Sequence, residues 1–155
     1  TTARCVRIVK DAAEHAGRDP ASVKVWSCFA TVGDWVPEDR RRMKLVGRLA
    51  TYLQGYGALL IRTNGWDPAV LEQILADPVV QGVRGLDVVG TPGQLEHVGT
   101  LIPDEWLASA ATGSAAQCVT AIRNQLALGC DGVIMHGATP TELRPIVEEY
   151  RRVLL

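Results

Sequence analysis

Residues 23–32, Val-Lys-Val-Trp-Ser-Cys-Phe-Ala-Thr-Val, narrow the choice of fold more than any other stretch. A near-continuous apolar run of this length, rich in β-branched and aromatic side chains, reads as a strand buried on both faces. Such strands belong to parallel sheets, whose connections cross from one end of the sheet to the other and mostly do so as helices. The flanks agree. Val6, Val9, Ala13 and Ala16 recur at helical spacing over residues 3–16, and Gly17 suits the left-handed position past a helix end. "RDPAS" is the turn into the strand. After it, Pro37 followed by Glu38 and Asp39 suits a helix start, where a missing N–H costs nothing and the dipole favours acids.

The alternation returns near the end of the chain. Residues 106–111 form a short, Ala-rich candidate strand. Ser114 and Gln117 have capping-box spacing at the head of a helix that Gly129 stops. Residues 130–137 make a short buried strand. Thr139, Pro140 and Glu142 then start a last helix running to residue 155, with Pro145 expected to bend or interrupt its first turns. Residues 55–106 exceed any simple connection and contain two helix starts, Asp67-Pro68 and Thr91 with Gln94. No flexible linker flanks them, so they read as a helical insertion within one domain of residues 1–155. The pattern predicts a parallel α/β fold and leaves an open sheet and an eightfold barrel in competition.

Composition limits the partners. With 47% hydrophobic and 21% charged residues, the chain is an ordinary globular one. A net charge of -1 offers nothing to nucleic acid or an anionic membrane. No apolar run approaches the roughly 18 residues that cross a bilayer, and no signal peptide is present, so a cytoplasmic protein is expected. Thr1 starts inside a helical pattern without an initiator Met, which reads as a piece of a longer chain. Cys5, Cys28, Cys118 and Cys130 stand singly among apolar neighbours and form no C-x-x-C pair. His15, His97 and His136 do not cluster with them, so no metal site is expected and the cysteines read as buried free thiols. Thirteen arginines against three lysines, with abundant Ala, Gly and Val, suit a GC-rich bacterial coding sequence.

Two stretches carry a family resemblance: "AAEHAGRDPASVKVWSCFATV" and "ATGSAAQCVTAIRNQLALGCDGVIMHGATPTELRPIVEEYR". In order and spacing they resemble the closing three strand–helix units of the luciferase-like flavin and deazaflavin oxidoreductases, the deazaflavin-using branch in particular. Ser114-Ala115-Ala116-Gln117 replaces the commoner Thr-Pro-Glu-Glu, which keeps the cap and loses an acidic side chain. The resemblance implies the C-terminal part of a (β/α)8 TIM barrel and hydride transfer between a small organic substrate and FMN or the deazaflavin coenzyme F-420. It also implies that most cofactor contacts come from earlier strands, since a full barrel takes about 250 residues.

Barrel chemistry collects at the carboxyl ends of strands, here Thr31–Trp35, Thr112–Ser114 and His136–Thr139. Thr112, Gly113 and Ser114 are candidate cofactor-binding residues, because a helix N-terminus behind a glycine turn favours an anion. The simpler reading is that Ser114 only caps its helix. His136 and Trp35 are candidate substrate-binding residues, the first as a donor or acceptor and the second as an apolar wall. Their simpler readings are a loop-bonded histidine and a packing tryptophan, with Asp34 beside it. No catalytic residue is assigned. Arg40, Lys44 and Arg48 line one helix face and read as a solvated stripe rather than as a seat for a polyanionic coenzyme. "GTPG" at 90–93 lacks the spacing of a dinucleotide loop and is set aside. Two other classes stay open. One is a non-catalytic fragment that self-associates through an exposed barrel interior or sheet edges. The other is a flavodoxin-like binding domain, which requires a strand on each side of the 23–32 strand.

Overall fold

A computed structural model of the chain describes residues 1–153. The elements in chain order begin with α1 (Thr2–His15), a 3-10 turn (Pro20–Ser22) and β1 (Trp26–Gly33). Seven helices follow: α2 (Glu38–Arg42), α3 (Arg48–Asn64), α4 (Pro68–Ala76), α5 (Pro78–Gly82), α6 (Leu86–Val89), α7 (Pro92–Gly99) and α8 (Asp104–Leu107). A π turn, Met43–Gly47, joins α2 to α3. The chain then forms β2 (Ala111–Gly113), α9 (Ala115–Ala127), β3 (Gly132–His136) and α10 (Pro140–Arg152). These divide into two compact units, one of Thr1–Gly33 with Ala111–Leu155 and one of Asp34–Ala110.

The first unit is α/β, and its three strands are parallel in the order β2-β1-β3. Thr31, Val32 and Gly33 pair with Ala111, Thr112 and Gly113 on one edge of β1. Trp26 to Ala30 pair with Gly132 to His136 on the other. Successive staves of a barrel would pair in chain order, so the central place of β1 departs from that expectation. The three residues of β2 reach only the last third of β1, which leaves the opposite edge of this long apolar strand for β3.

Helices α9 and α10 lie together on one face of the sheet. Phe29, Ala111, Cys118, Val119, Ile122 and Ile146 form its buried core, with Val133 and Met135 packed against it. Ser27 on the same face donates from its hydroxyl to Oε1 of Gln125 in α9, at 3.0 Å. Residues of opposite parity face the other way, and there Trp26 is 58% and Ile134 48% exposed, with Cys28 also open to solvent. Burial of β1 on both faces is thus confined to its carboxyl-terminal end, Thr31 to Gly33. The single β–α–β crossover inside this unit places α9 on one face, and α10 joins it there.

At the amino ends of the strands a polar knot holds the unit together. The Asp131 carboxylate accepts from the Val25 N–H at 2.8 Å and from the Lys10 and Lys24 ammonium groups at 3.3 Å each. Lys10 also donates to the carbonyls of Pro20 and Val23, tying α1 and the 3-10 turn to β1. The backbone N–H of Asp131 returns a bond to the Val25 carbonyl at 2.8 Å.

The second unit is all helix, packed around Ala50, Leu53, Ile74, Leu86, Leu95 and Val98. It contains the whole of residues 55–106 and begins earlier, at Asp34, and α3 crosses residue 55 with a kink at Tyr56, whose φ of -133° and ψ of 18° are not helical. Trp106, read from sequence as opening a strand, stands in α8 instead and stacks on Trp66 with ring centroids 4.4 Å apart. Removal of that ring from water outweighs the weak strand tendency of an Ala-rich stretch, and the strand begins only at Ala111. The caps expected at Asp67, Thr91, Ser114 and Thr139 are all formed. α10 continues through Pro145, and Leu154 and Leu155, assigned from sequence to that helix, lie outside the described residues. Asp77 caps α5 through the N–H groups of Val79 and Val80 and meets Nε2 of His97 at 2.8 Å.

Two outcomes follow from this packing. Ile146→Ala removes a buried side chain between α9, α10 and the sheet, and urea unfolding should show a loss of about 2–4 kcal/mol. The hydrogen bond from Val25 N–H, followed by those from Lys10 and Lys24, holds the Asp131 carboxyl below the usual carboxylate range. A carboxyl lowered on folding contributes stability above its unfolded pKa, and that contribution disappears as pH falls through the folded one. The stability gap between the natural chain and Asp131→Asn should therefore be full at neutral pH and close as the medium is acidified. A gap that is the same at acid and neutral pH would show that the carboxylate is not what holds the knot.

Candidate functional site

Parallel strands bring their carboxyl ends to one rim, and that rim of the first unit gathers most of the residues selected from sequence. Gly33 lies opposite Gly113, and Ala30 opposite His136. Both outer strands leave through a left-handed glycine, Gly113 at φ 94° and Gly137 at φ 84°, and enter a capped helix. The rim therefore carries two helix N-termini as well as three strand ends.

The two N-termini differ in charge. At α10 the Glu142 carboxylate accepts from the Thr139 N–H at 2.7 Å, and Pro140 has no N–H to offer. That end already holds its own anion. At α9 the box is closed by a neutral group, since Oε1 of Gln117 accepts from the Ser114 N–H at 2.8 Å. Among the described residues the N–H groups of Ala115 and Ala116 have no capping side chain. Of the two, α9 is the end able to receive an external anion. Ser114 turns its hydroxyl to its own helix, accepting from the Gln117 N–H at 3.3 Å, so its contribution to a ligand would come through the backbone. Gly113 suits the positive φ here, and a Cβ at that position would displace the Gln117 amide that closes the box.

Thr112 and His136 share a face. Thr112 registers with Val32 and His136 with Ala30, which puts both on the side of the sheet away from α9 and α10. They straddle β1, so two strand spacings, roughly 10 Å, separate them laterally. His136 is half-buried and has no hydrogen-bond partner among the described residues, so its ring is not held by neighbouring loops. Along the same face run Ile134, Cys28 and Trp26, whose ring lies over Gly132 so closely that a Cβ there would be 2.6 Å from it. Trp26 and Cys28 were not selected from sequence. The run 23–32 is apolar at both parities, which hides the alternation that exposes them.

Trp35, the proposed substrate wall, follows β1 in a turn and belongs to the second unit, partly exposed. It is thus not assembled with Thr112, Gly113, Ser114 and His136 in one unit. Arg48, expected in a solvated stripe, is ion-paired with Asp87 at 3.1 Å and lies over the Tyr52 ring. Cys118 and Cys130 are buried free thiols as read, whereas Cys5 and Cys28 are exposed. Exposure of Cys28 follows from the open face of the sheet. Among the described residues no group of three or more His, Cys, Asp or Glu could hold a metal ion, and no helix is long and apolar enough to cross a membrane.

Comparison of the chain with protein-family models, curated proteins and solved structures finds no match.

The geometry separates backbone from side-chain roles at the α9 turn. Gly113→Ala should cost roughly 1–2 kcal/mol from the left-handed backbone alone, with more from the collision with Gln117. Ser114→Ala should cost about 1 kcal/mol through the lost cap. Chemical denaturation of both variants checks the order.

Proposed function

We propose that this chain is the carboxyl-terminal part of a flavin- or deazaflavin-dependent oxidoreductase of the luciferase-like kind, in the region that forms the last strand–helix units of its (β/α)8 barrel. The single observation that carries this reading is the one-sided sheet. Helices α9 and α10 lie on one face, while Thr112 and His136 stand with Trp26, Cys28 and Ile134 on the other, at or below the carboxyl ends of the strands. A barrel has helices outside and ligand-facing residues at the mouth of its inner face, and this sheet has that polarity. FMN or coenzyme F-420 would supply the hydride chemistry when bound. The uncharged α9 turn at Thr112-Gly113-Ser114 suits a phosphate of such a group through its backbone N–H donors. His136, unpartnered and beside the open face, suits a polar atom of a small organic substrate.

Strand order favours a second reading. β1 is paired on both edges, as in an open doubly wound sheet of flavodoxin type, where ligands bind outside the carboxyl ends at the reversal of strand order. In that case the 155-residue chain is a binding domain in its own right.

One titration separates the two. FMN and coenzyme F-420 are added to the 155-residue chain, and to a longer chain carrying further upstream sequence, while cofactor fluorescence is followed. Quenching by the longer chain alone is the outcome expected of the barrel. Stoichiometric quenching by the 155-residue chain points to the open-sheet domain. No quenching by either removes both.

A further inference from the structure

On the helix-bearing side of β3, away from the rim, lies a cavity of about 340 Å³. Its walls are Ile122 and Leu126 of α9, Val133 and Met135 of β3, and Ile146 and Val147 of α10. Volume and lining fall in the range of sites for small organic molecules. The lining is not wholly apolar. Tyr150 and Arg151, in the last turns of α10, stand at the cavity, and Asp131 lines it from the start of β3.

The two charged residues of the lining, Asp131 and Arg151, differ in what they have left to bond. Asp131 is already answered by Lys10, Lys24 and the Val25 N–H. Arg151 has no ion-pair or hydrogen-bond partner among the described residues, and neither does the Tyr150 hydroxyl. With the Asp131 carboxylate already engaged, a guanidinium and a phenol are left free to donate among the residues that line the cavity. Glu149 does not offset this, because it is paired with Arg152 at 2.6 Å. A guanidinium at the end of an apolar slot is matched by a carboxylate at the end of an aliphatic chain, the guanidinium taking the head in a charge-assisted pair.

We propose that this cavity binds an aliphatic monocarboxylate. Its chain lies over Val133 and Met135 between α9 and α10, and its carboxylate meets Arg151 and the Tyr150 hydroxyl. The site is on the opposite side of the sheet from Thr112 and His136 and does not rest on the cofactor reading.

Decanoate and decanol are the probes, measured by calorimetry on the full 155-residue chain. The natural chain should bind decanoate one to one and in preference to decanol. Arg151→Met, at an exposed position, should weaken decanoate about tenfold or more and leave decanol unchanged, as expected for loss of one charge-assisted pair. Val147→Trp should fill the slot and abolish binding of both, with circular dichroism reporting that the fold is kept. If that variant unfolds, Tyr150→Phe serves in its place and should weaken decanoate alone. Equal affinity for decanoate and decanol, or an Arg151→Met variant that binds decanoate as well as the natural chain, overturns the proposal. So does a chain that binds neither probe but sediments as a dimer which Arg151→Met or Val147→Trp dissociates, because the occupant is then a second copy.

Discussion

Hydrogen bonding along both edges of β1 is the constraint on which the α/β unit depends. An unpaired backbone amide or carbonyl inside a protein loses its water without replacement, at a cost of about 1–3 kcal/mol per group. β1 is eight residues long and buried at its carboxyl end, so each stretch of it needs a neighbouring strand. β2 meets the last three residues on one edge and β3 the first five on the other, so each residue of β1 has a strand partner along one edge. The core then follows, because α9 connects β2 to β3 and has to cross β1 on one face. The Phe29, Ile122 and Ile146 cluster marks that crossing.

The two ends of this sheet are built for different purposes. At the amino ends the Asp131 knot uses charged groups to fix α1, the 3-10 turn, β1 and β3 relative to one another. It rigidifies and offers no ligand a vacant donor at Lys10, whose ammonium already serves three oxygens. At the carboxyl ends small residues and left-handed glycines keep the backbone accessible, and the caps are made by short local pairs. This is the usual division in parallel α/β proteins, where stability resides at one end of the strands and chemistry at the other.

The helical unit has its own logic. Its short helices are punctuated by Asp67-Pro68, Asp77-Pro78 and Thr91-Pro92, where a side-chain cap and a proline start each helix. Gly57 and Gly47 let neighbouring segments approach closely, since a Cβ on Gly57 would meet Leu71 at 2.7 Å and one on Gly47 the Leu86 carbonyl at 3.0 Å. Asp87, bound by Thr51 and Arg48, holds α6 against α3.

Much of this could be read along the chain because its causes are local. Helix caps are set by three or four consecutive residues, so Ser114 with Gln117 and Thr139 with Glu142 declared themselves, as did Gly17 in its left-handed position. The parallel α/β class followed from alternation of strand and helix patterns. What depended on distant partners did not: Trp106 joined a helix because Trp66, forty residues earlier in the chain, offered it a stacking face. Arg48 left the solvated stripe because Asp87 came within reach. Strand order and the one-sidedness of the sheet are tertiary in the same sense. An apolar run records that a strand is suited to burial, whereas which of its faces is covered depends on where the next crossover passes. The sequence by itself settled the parallel α/β class and the caps at Asp67, Thr91, Ser114 and Thr139. Only the folded chain decided that β1 lies in the middle, and that Thr112 and His136 share its open face, because pairing of edges and faces is a property of segments a hundred residues apart.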